Sequence, residues 1–373
     1  MLTVSVAQII FGCFCFVSAV QVFYYLYFFL RLAIYKPSEK NISQTHPVSV
    51  IICARDEAAN LAKNLPGALV QKYRTTHEVI VINDNSFDES KYILDEYYKT
   101  FKQLKIVELK QEARFIPGKK FPLSVGIKEA KYEVLLMTDA DCVPASELWI
   151  ERMQEGYREN TEIVLGYGAH HKKHGFLNKL IRWETFNTAL QYLSYAAAGL
   201  PYMGVGRNLS YKKSVFFRHK GFSSHNHVAS GDDDLFINMA ATKQNTEIVI
   251  DKDAFTLSEP PLTWKEWMKQ KTRHYSTGRY YKGIHKFLLG LYAFTHALFY
   301  PLLIASLILV SWKISLIIFG VRFLLQVFAF YKTMDKLNEK DLFPWFLVLD
   351  VWMFFYYAIF STAMFKKPRK TWK

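Results

Sequence analysis

The chain has 373 residues, of which 51% are hydrophobic, and it carries a formal net charge of +14. This length allows one large domain or two small ones, and the hydrophobic fraction is high for a purely soluble protein. A basic balance can indicate nucleic-acid binding, but the sequence has no basic and aromatic motif of that kind. Anionic lipid headgroups or an anionic substrate explain the charge better, so we expect no nucleic-acid partner.

Four stretches have the length and apolarity of membrane-spanning helices. They are residues 1–30, 287–311, 314–331 and 342–365. The last two carry only Arg322 and Asp350 as charged residues, and the first two carry none. Because about 20 apolar residues cross a bilayer, we expect one spanning helix over 1–34 and two or three over 287–373. A cleaved signal peptide is a poor interpretation of the first stretch, which is too long and lacks a basic start.

Basic residues flank these stretches and bear on orientation. They are Arg31, Lys36 and Lys40 after the first stretch, and Lys366, Lys367, Arg369, Lys370 and Lys373 after the last. By the positive-inside tendency both flanks prefer the cytoplasm, which predicts a cytoplasmic central domain, in a bacterial inner membrane. Three crossings after that domain would place the basic tail outside, so one stretch is not a simple crossing or the tail breaks the rule. Arg322 and Asp350 can pair within the bundle.

The central region, residues 35–261, alternates strand and helix patterns four times. Apolar, β-branched runs predict buried strands at 48–53, 77–82, 104–109 and 132–138, with helical patterns between them at 60–70, 90–101 and about 120–130. This alternation indicates a parallel, doubly wound α/β sheet. Ligands of such sheets bind at the carboxyl ends of the strands, where Arg55, Asp84 and Asp139 fall. The sequence lacks the glycine-rich dinucleotide loop and the Walker loop, so a bound nucleotide must be held by side chains and metal.

Two carboxylates end the fourth predicted strand, in the sequence Met137-Thr-Asp139-Ala-Asp141. Residues i and i+2 of a strand point to the same side, so Asp139 and Asp141 can converge on one point. Two converging carboxylates suit a hard divalent cation that also takes phosphate oxygens, namely Mg²⁺ or Mn²⁺. A lone pair of this kind is more often a solvated loop, so the assignment depends on the other motifs.

Two later segments combine glycine or acidic residues with polar neighbours. Residues 204–210 are glycine-rich and polar, which suits close approach of the backbone to a ligand. Asp232, Asp233 and Asp234 open an apolar helical pattern. Acids are common in the first turn of a helix, but three in a row exceed what a cap requires.

Two helical patterns are candidates for contact with lipid. Over 176–198, apolar and aromatic residues recur at helical spacing: Leu177, Leu180, Trp183, Phe186 and Leu190. That pattern fits a core helix and a helix lining a lipid acceptor site about equally well. Residues 262–286 contain Trp264, Trp267, Met268 and Lys271 at helical spacing, which favours amphipathic helices in the membrane interface.

Taken in order, these motifs resemble those of family 2 glycosyltransferases with a GT-A fold. Within that family the chain resembles the membrane-embedded branch that includes cellulose, hyaluronan and poly-N-acetylglucosamine synthases and ceramide glucosyltransferase. The resemblance runs from residue 46 to about 285 and includes the flanking spans. The segments that carry it are Asn83–Asp88, Asp139–Asp141, Asp232–Asp233 and Gln270–His274. They resemble the family's Asp-Asp-Gly-Ser-x-Asp, Asp-x-Asp, Glu-Asp and Gln-x-x-Arg-Trp motifs.

The resemblance implies a Rossmann-like, mixed but mostly parallel sheet, with a role for each motif. Asp139 and Asp141 would hold the metal, and Asp233 would be the catalytic base, with Asp232 and Asp234 as neighbouring candidates. The residues expected at the nucleotide-sugar donor are Ala54, Arg55, Glu57, Asp84, Lys119, Lys120, Asp139, Gln270 and Arg273. Those expected at the acceptor are Gly206, Arg207, Asn208 and His274.

The implied activity is metal-dependent transfer of a hexose from a nucleotide-diphosphate donor, by family practice UDP-linked, to a membrane lipid or lipid-linked acceptor. One base without a second nucleophile implies inversion at the sugar carbon. In the processive relatives the tryptophan of the last motif contacts the acceptor sugar. His274 stands in its place here, which favours transfer of one sugar over processive polysaccharide synthesis. A non-catalytic membrane scaffold would need neither these carboxylates nor the α/β domain.

Overall fold

The computed structural model describes residues 5–37, 46–110 and 116–361. The strands in these ranges are β1 Val48–Ala54, β2 His77–Asp84, β3 Leu104–Leu109, β4 Val134–Asp139, β5 Cys142–Pro144, β6 Ile163–Leu165, β7 Gly168–His170, β8 Leu209–Lys212, β9 Thr246–Ile248 and β10 Thr256–Ser258. The α-helices are α1 Val6–Tyr24, α2 Leu30–Ala33, α3 Ala58–Leu69, α4 Ser90–Thr100, α5 Lys120–Glu129, α6 Trp149–Gln154, α7 Phe176–Ala197, α8 Lys213–Arg218, α9 Asp234–Ala240, α10 Trp264–Tyr275, α11 Gly283–Leu309, α12 Trp312–Lys336 and α13 Phe346–Ser361.

The central domain is built on a seven-stranded sheet in the order β3-β2-β1-β4-β8-β6-β9. The first four strands are parallel, and β8 runs antiparallel to both β4 and β6. Alternate residues of β1 face opposite cores: Val50 lies in the core under α3 and Ile51 in the core under α5 and α7. Burial on both faces explains the continuous apolar runs of these strands. The expected mixed, mostly parallel sheet is confirmed.

The region from residue 163 to residue 170 contains two short strands that belong to different sheets. Ile163–Leu165 joins the large sheet, whereas Gly168–His170 pairs with β10 in a small sheet of order β5-β10-β7. Gly166 separates them, and a Cβ built there would lie 2.5 Å from Nδ2 of Asn208. A side chain therefore has no room at this break, and periodicity alone does not reveal the change of sheet.

Within the described residues, four helical segments are long and apolar enough to cross a membrane: Val6–Ala33, Gly283–Leu309, Trp312–Lys336 and Lys340–Phe360. The first packs against α11, where the Gln21 amide donates to Oγ1 of Thr295 at 2.8 Å. Arg322 and Asp350 lie inside the bundle with charged atoms 3.5 Å apart, as the sequence predicted. The basic tail lies outside the described residues. Its side of the membrane, and the division at residues 34, 261 and 286, stay predictions.

A buried ionic contact joins the central domain to the helical bundle. The Arg182 guanidinium on α7 donates to the carboxylates of Glu339 and Asp341, in the connection between α12 and α13. Tyr167 also donates to Glu339, at 3.2 Å. Burial raises the pKa of Glu339 to about 7 although Arg182 opposes the shift. The central domain is thereby held against the end of two membrane helices.

Candidate active site

The carboxyl ends of β1, β2 and β4 lie at one edge of the large sheet. Cys53 of β1 is in register with Asp139 of β4, and Asp84 ends β2. Arg55, just after β1, lies 3.9 Å from the Asp84 carboxylate. The expectation that the predicted residues gather at one edge is therefore met, as the parallel arrangement of these strands requires.

A cavity of about 860 Å³ opens beside this edge and brings together most of the predicted site residues. Those in its walls are Glu57, Lys119, Asp139, Asp141, Gly206, Arg207, Asp232, Asp233, Asp234, Gln270, Arg273 and His274. Those outside its walls are Ala54, Arg55, Asp84, Lys120 and Asn208. The acids at the end of β4 and those at the start of α9, almost a hundred residues apart in sequence, thus face one space.

The residues at the end of β4 fit a hard divalent cation. Ligand atoms of Asp139, Asp141 and Cys142 all lie within 4.8 Å of one another. Burial raises the pKa of the Cys142 thiol well above its ordinary value, so the group stays protonated and donates to Asp141 at 3.3 Å. Burial and the neighbouring Asp139 also raise the pKa of Asp141. A bound dication would relieve that cost, and two carboxylates without a thiolate suit Mg²⁺ or Mn²⁺.

Lys119 bridges the two groups of acids. Its Nζ lies 2.8 Å from Asp139 and 3.0 Å from Asp232. Although burial opposes it, the surrounding carboxylates raise the pKa of Lys119 well above its ordinary value. The preceding Gly118 has φ +80°, and a Cβ there would lie 2.1 Å from a backbone oxygen. This tight turn delivers a permanent positive charge to the cavity.

Lys120 does not share that position, and its expected donor contact is not supported. Its ammonium donates to the backbone carbonyls of His225, Val228 and Ser230, just before the three acids. It is 1% exposed. Its role is therefore to hold the segment that leads into Asp232.

The three consecutive acids have different surroundings. Asp232 pairs with Lys119, whereas Asp234 accepts from the hydroxyls of Thr277 and Tyr281. Asp233 accepts from the backbone N–H groups of Gly206 and Asp234, each at 2.7 Å. Burial, followed by the charges of its two acidic neighbours, raises the pKa of Asp233 to about 7. A carboxylate with that pKa suits general base catalysis near neutral pH.

Asn208 contradicts its predicted place at the acceptor. It is fully buried, accepts from the Trp149 indole at 3.0 Å and donates to the carbonyls of Tyr167 and Ala254. All its donors and one lone pair are used, so it anchors the core. Its neighbour Arg207 does line the cavity and donates to Ser258 Oγ at 2.7 Å.

The cavity also has polar residues that the sequence reasoning missed. On α7 the apolar residues Leu180, Trp183, Phe186 and Leu190 lie in the core, as one of the two interpretations of this helix predicted. The opposite face lines the cavity with Glu184, Thr185, Thr188 and Gln191. Their spacing of i, i+1, i+4 and i+7 places them on one face of an otherwise apolar helix. This polar face is visible in the sequence and could have predicted that the helix lines a cavity.

The far wall of the cavity belongs to the membrane helices. α11 contributes one face over three turns: Lys286, Leu289, Gly290, Ala293, Phe294 and Ala297. Tyr357 and Ala358 of α13 also line the space. Phe294 is 62% exposed, so the wall reaches the outer surface of α11. Since the hydroxyl of Tyr281 donates a hydrogen bond to Asp234 and α11 begins two residues later, the acids lie near the N-terminus of this helix.

The fold is that of a GT-A glycosyltransferase. A mannosyltransferase of Pyrobaculum calidifontis, solved in complex with GDP-Man and Mn²⁺, is similar with a TM-score of 0.59 and 16% identity. The match covers 93% of this chain and 99% of that one. Residues 49–222 match the family described as Glycosyl transferase family 2. The central part of the chain therefore carries a glycosyltransferase family 2 domain.

Two curated relatives match part of their length. A probable glycosyltransferase of Bacillus subtilis is 26% identical over 251 residues, which is 63% of this chain and 56% of the relative. A beta-monoglucosyldiacylglycerol synthase of Nostoc is 30% identical over 128 residues, 34% of this chain and 27% of that protein. The chain therefore spans about half or less of the length of these relatives.

Proposed function

We propose that the chain is an inverting, metal-dependent glycosyltransferase. It moves a hexose from a nucleotide-diphosphate donor, for which UDP is the expected nucleotide, to a membrane lipid or lipid-linked acceptor. The observation that carries this proposal is the continuity of the cavity. One space contains Asp139 and Asp141 at the sheet edge, Asp233 beside them, and the apolar face of α11. A donor at the sheet edge and a lipid on α11 would meet at Asp233.

The donor side would use charge to hold and release the diphosphate. Asp139 and Asp141 would hold Mg²⁺ or Mn²⁺, and the cation, when bound, neutralises the leaving diphosphate. Lys119 and Arg273, both in the cavity wall, would add fixed positive charge there. The complex of the Pyrobaculum relative with GDP-Man and Mn²⁺ supports this arrangement.

The acceptor side would use Asp233 as the base. Its carboxylate would take the proton of the acceptor hydroxyl while that oxygen bonds to the sugar carbon and the bond to the diphosphate breaks. Gly206 N–H holds the carboxylate in place at 2.7 Å. With one base and no second nucleophile, attack comes from the face opposite the leaving group and inverts the configuration.

The membrane helices and the basic flank support a lipid acceptor and a cytoplasmic catalytic domain in a bacterial inner membrane. Arg31 and Lys36 follow the first apolar helix on the side of the central domain. The Nostoc relative is named for a glycolipid product. His274, in place of the tryptophan of processive relatives, lines the cavity and supports transfer of one sugar. A ladder of products would favour processive synthesis.

Two variants test the roles of the acids. Asp139→Ala should weaken Mn²⁺-dependent donor binding by more than about tenfold, since even outer-shell changes at metal sites cost that much. Asp233→Asn should leave donor binding nearly intact and lower transfer by about 10²–10⁴-fold. Calorimetry with Mn²⁺ and nucleotide sugar, together with a transfer assay, measures both. Equal donor binding by the wild type and Asp139→Ala would refute the metal assignment.

A further inference from the structure

We infer that the acceptor is a glycolipid, a lipid whose uncharged headgroup is already a sugar, and that the polar wall binds this headgroup. The polar wall consists of Glu184, Thr185, Thr188 and Gln191 on α7 and of Gln270, Lys271 and His274 on α10. This inference rests on the proposed function and names the substrate class for it.

Buried polar atoms of the polar wall lack partners within the described residues. Thr185 is 6% exposed, and its hydroxyl has no hydrogen-bond partner there. Oε1 of Gln270, on the α10 part of the polar wall, is also buried and has no hydrogen-bond partner among the described residues. Buried polar groups are almost always hydrogen-bonded, so these atoms indicate that a ligand supplies the missing bonds.

The polar wall carries no net charge. Lys271 forms a buried ion pair with Glu184, whose carboxylate also accepts from Thr188 and Tyr356, each at 3.1 Å. Burial lowers the pKa of His274 well below its ordinary value, so this side chain is neutral. Arg273, the other cation of α10 in the cavity wall, is assigned to the donor diphosphate, so a phosphate headgroup would meet Glu184 beside a lysine that is already paired. Sugar hydroxyls, which both donate and accept, match the threonine and glutamine groups.

The polar wall borders the cavity-lining face of α11, which runs from Lys286 to Ala297, as well as the catalytic acids. Nε2 of Gln191 lies 3.5 Å from the hydroxyl of Tyr357, which lines the cavity beside α11. At the other side, Tyr281 connects Asp234 to the start of α11. A lipid with its tails on α11 and a hydroxyl at Asp233 would therefore place a headgroup against the polar wall. A bare diacylglycerol would leave that wall unfilled.

The test uses the full-length protein in vesicles with three acceptors that share the same two acyl chains. Their headgroups are a hydroxyl, a monohexoside and a phosphate, as in diacylglycerol, its glucoside and phosphatidic acid. We expect the monohexoside to be the preferred acceptor. Thr185→Val should raise its KM about five- to tenfold, as expected for one lost hydrogen bond, with kcat nearly unchanged.

Thr333→Val is the matched control. Thr333 on α12 is also buried and its hydroxyl also lacks a partner among the described residues, but it does not line the cavity. The inference would be overturned if the enzyme preferred the hydroxyl or the phosphate lipid, or if it used none of the three lipids. Equal KM values for the Thr185→Val and Thr333→Val variants would also overturn it. If Asp139-dependent hydrolysis of the donor persists in those cases, the proposed function survives. If no nucleotide sugar is hydrolysed or transferred, the proposed function fails as well.

Discussion

At the level of single residues, the cavity separates side chains that look alike in the sequence. Lys119 and Lys120 are neighbours, yet one bridges Asp139 and Asp232 while the other is fixed by three backbone carbonyls. Strand parity predicted the convergence of Asp139 and Asp141, because it depends only on local geometry. No local rule distinguishes the two lysines, since their direction depends on the turn at Gly118 and on residues a hundred positions away.

The pH dependence of the rate should report Asp233. Because its pKa is raised to about 7 and the base acts when deprotonated, kcat/KM should rise with pH and level off above about 7. An aspartate of ordinary pKa would give a flat profile above pH 5 or so. Asp234→Asn removes one of the charges that raise this pKa, so the inflection should move to lower pH. A transfer assay from pH 5 to 9 with the wild type and Asp234→Asn measures both inflections. If the inflection does not move, it belongs to a group other than Asp233.

At the level of elements, helix α7 shows what periodicity does and does not predict. Its apolar repeat correctly predicted a helix, observed as Phe176–Ala197. The repeat did not reveal what covers each face: Trp183 and Phe186 pack in the core, and the polar face lines the cavity. Asn208 failed for the same reason, because a polar residue after glycine is equally consistent with a ligand contact and with a core hydrogen bond.

The ionic contact of α7 with the bundle should be essential for stability. Arg182→Met leaves Glu339 buried without its cation, and removal of one partner of a buried pair costs about 3–5 kcal/mol. The melting temperature in detergent should fall clearly. Adding Glu339→Met to the same protein should restore much of the loss, because it removes the unpaired charge. A double variant less stable than Arg182→Met would show that the carboxylate contributes through Tyr167 rather than through the pair.

At the level of the whole molecule, the catalytic domain and the membrane helices form one cavity. The sequence predicted both parts, from the strand–helix alternation and from the charge-free stretches. It did not predict that they share a space, because contact between α7, α10, α11 and α13 depends on tertiary packing that no local pattern records.

A larger side chain on the cavity-lining face of α11 should block binding of the lipid acceptor and leave binding of the nucleotide-sugar donor unchanged. Gly290 is exposed and nothing lies within 4 Å of a Cβ built there, so Gly290→Leu would extend into the cavity without disturbing the helix. Transfer to lipid should fall about tenfold or more, as overfilling a site costs 1–3 kcal/mol, with donor binding unchanged.

The control is Gly12→Leu, because Gly12 is equally exposed and open on α1 but outside the cavity. Assays of lipid transfer and of donor binding compare the two variants. If both lose transfer to the same extent, the effect is a general one on the membrane helices, and the acceptor does not use α11.

The direct bonds from Thr277 and Tyr281 to Asp234 have a consequence for selectivity. They set the height of the reaction centre above the apolar surface, because α11 begins only two residues after Tyr281. If the acceptor is a lipid, as proposed, the enzyme would select lipids by the distance between the reactive oxygen and the hydrocarbon region of the bilayer. The length of the acyl chains would then have little effect on the rate.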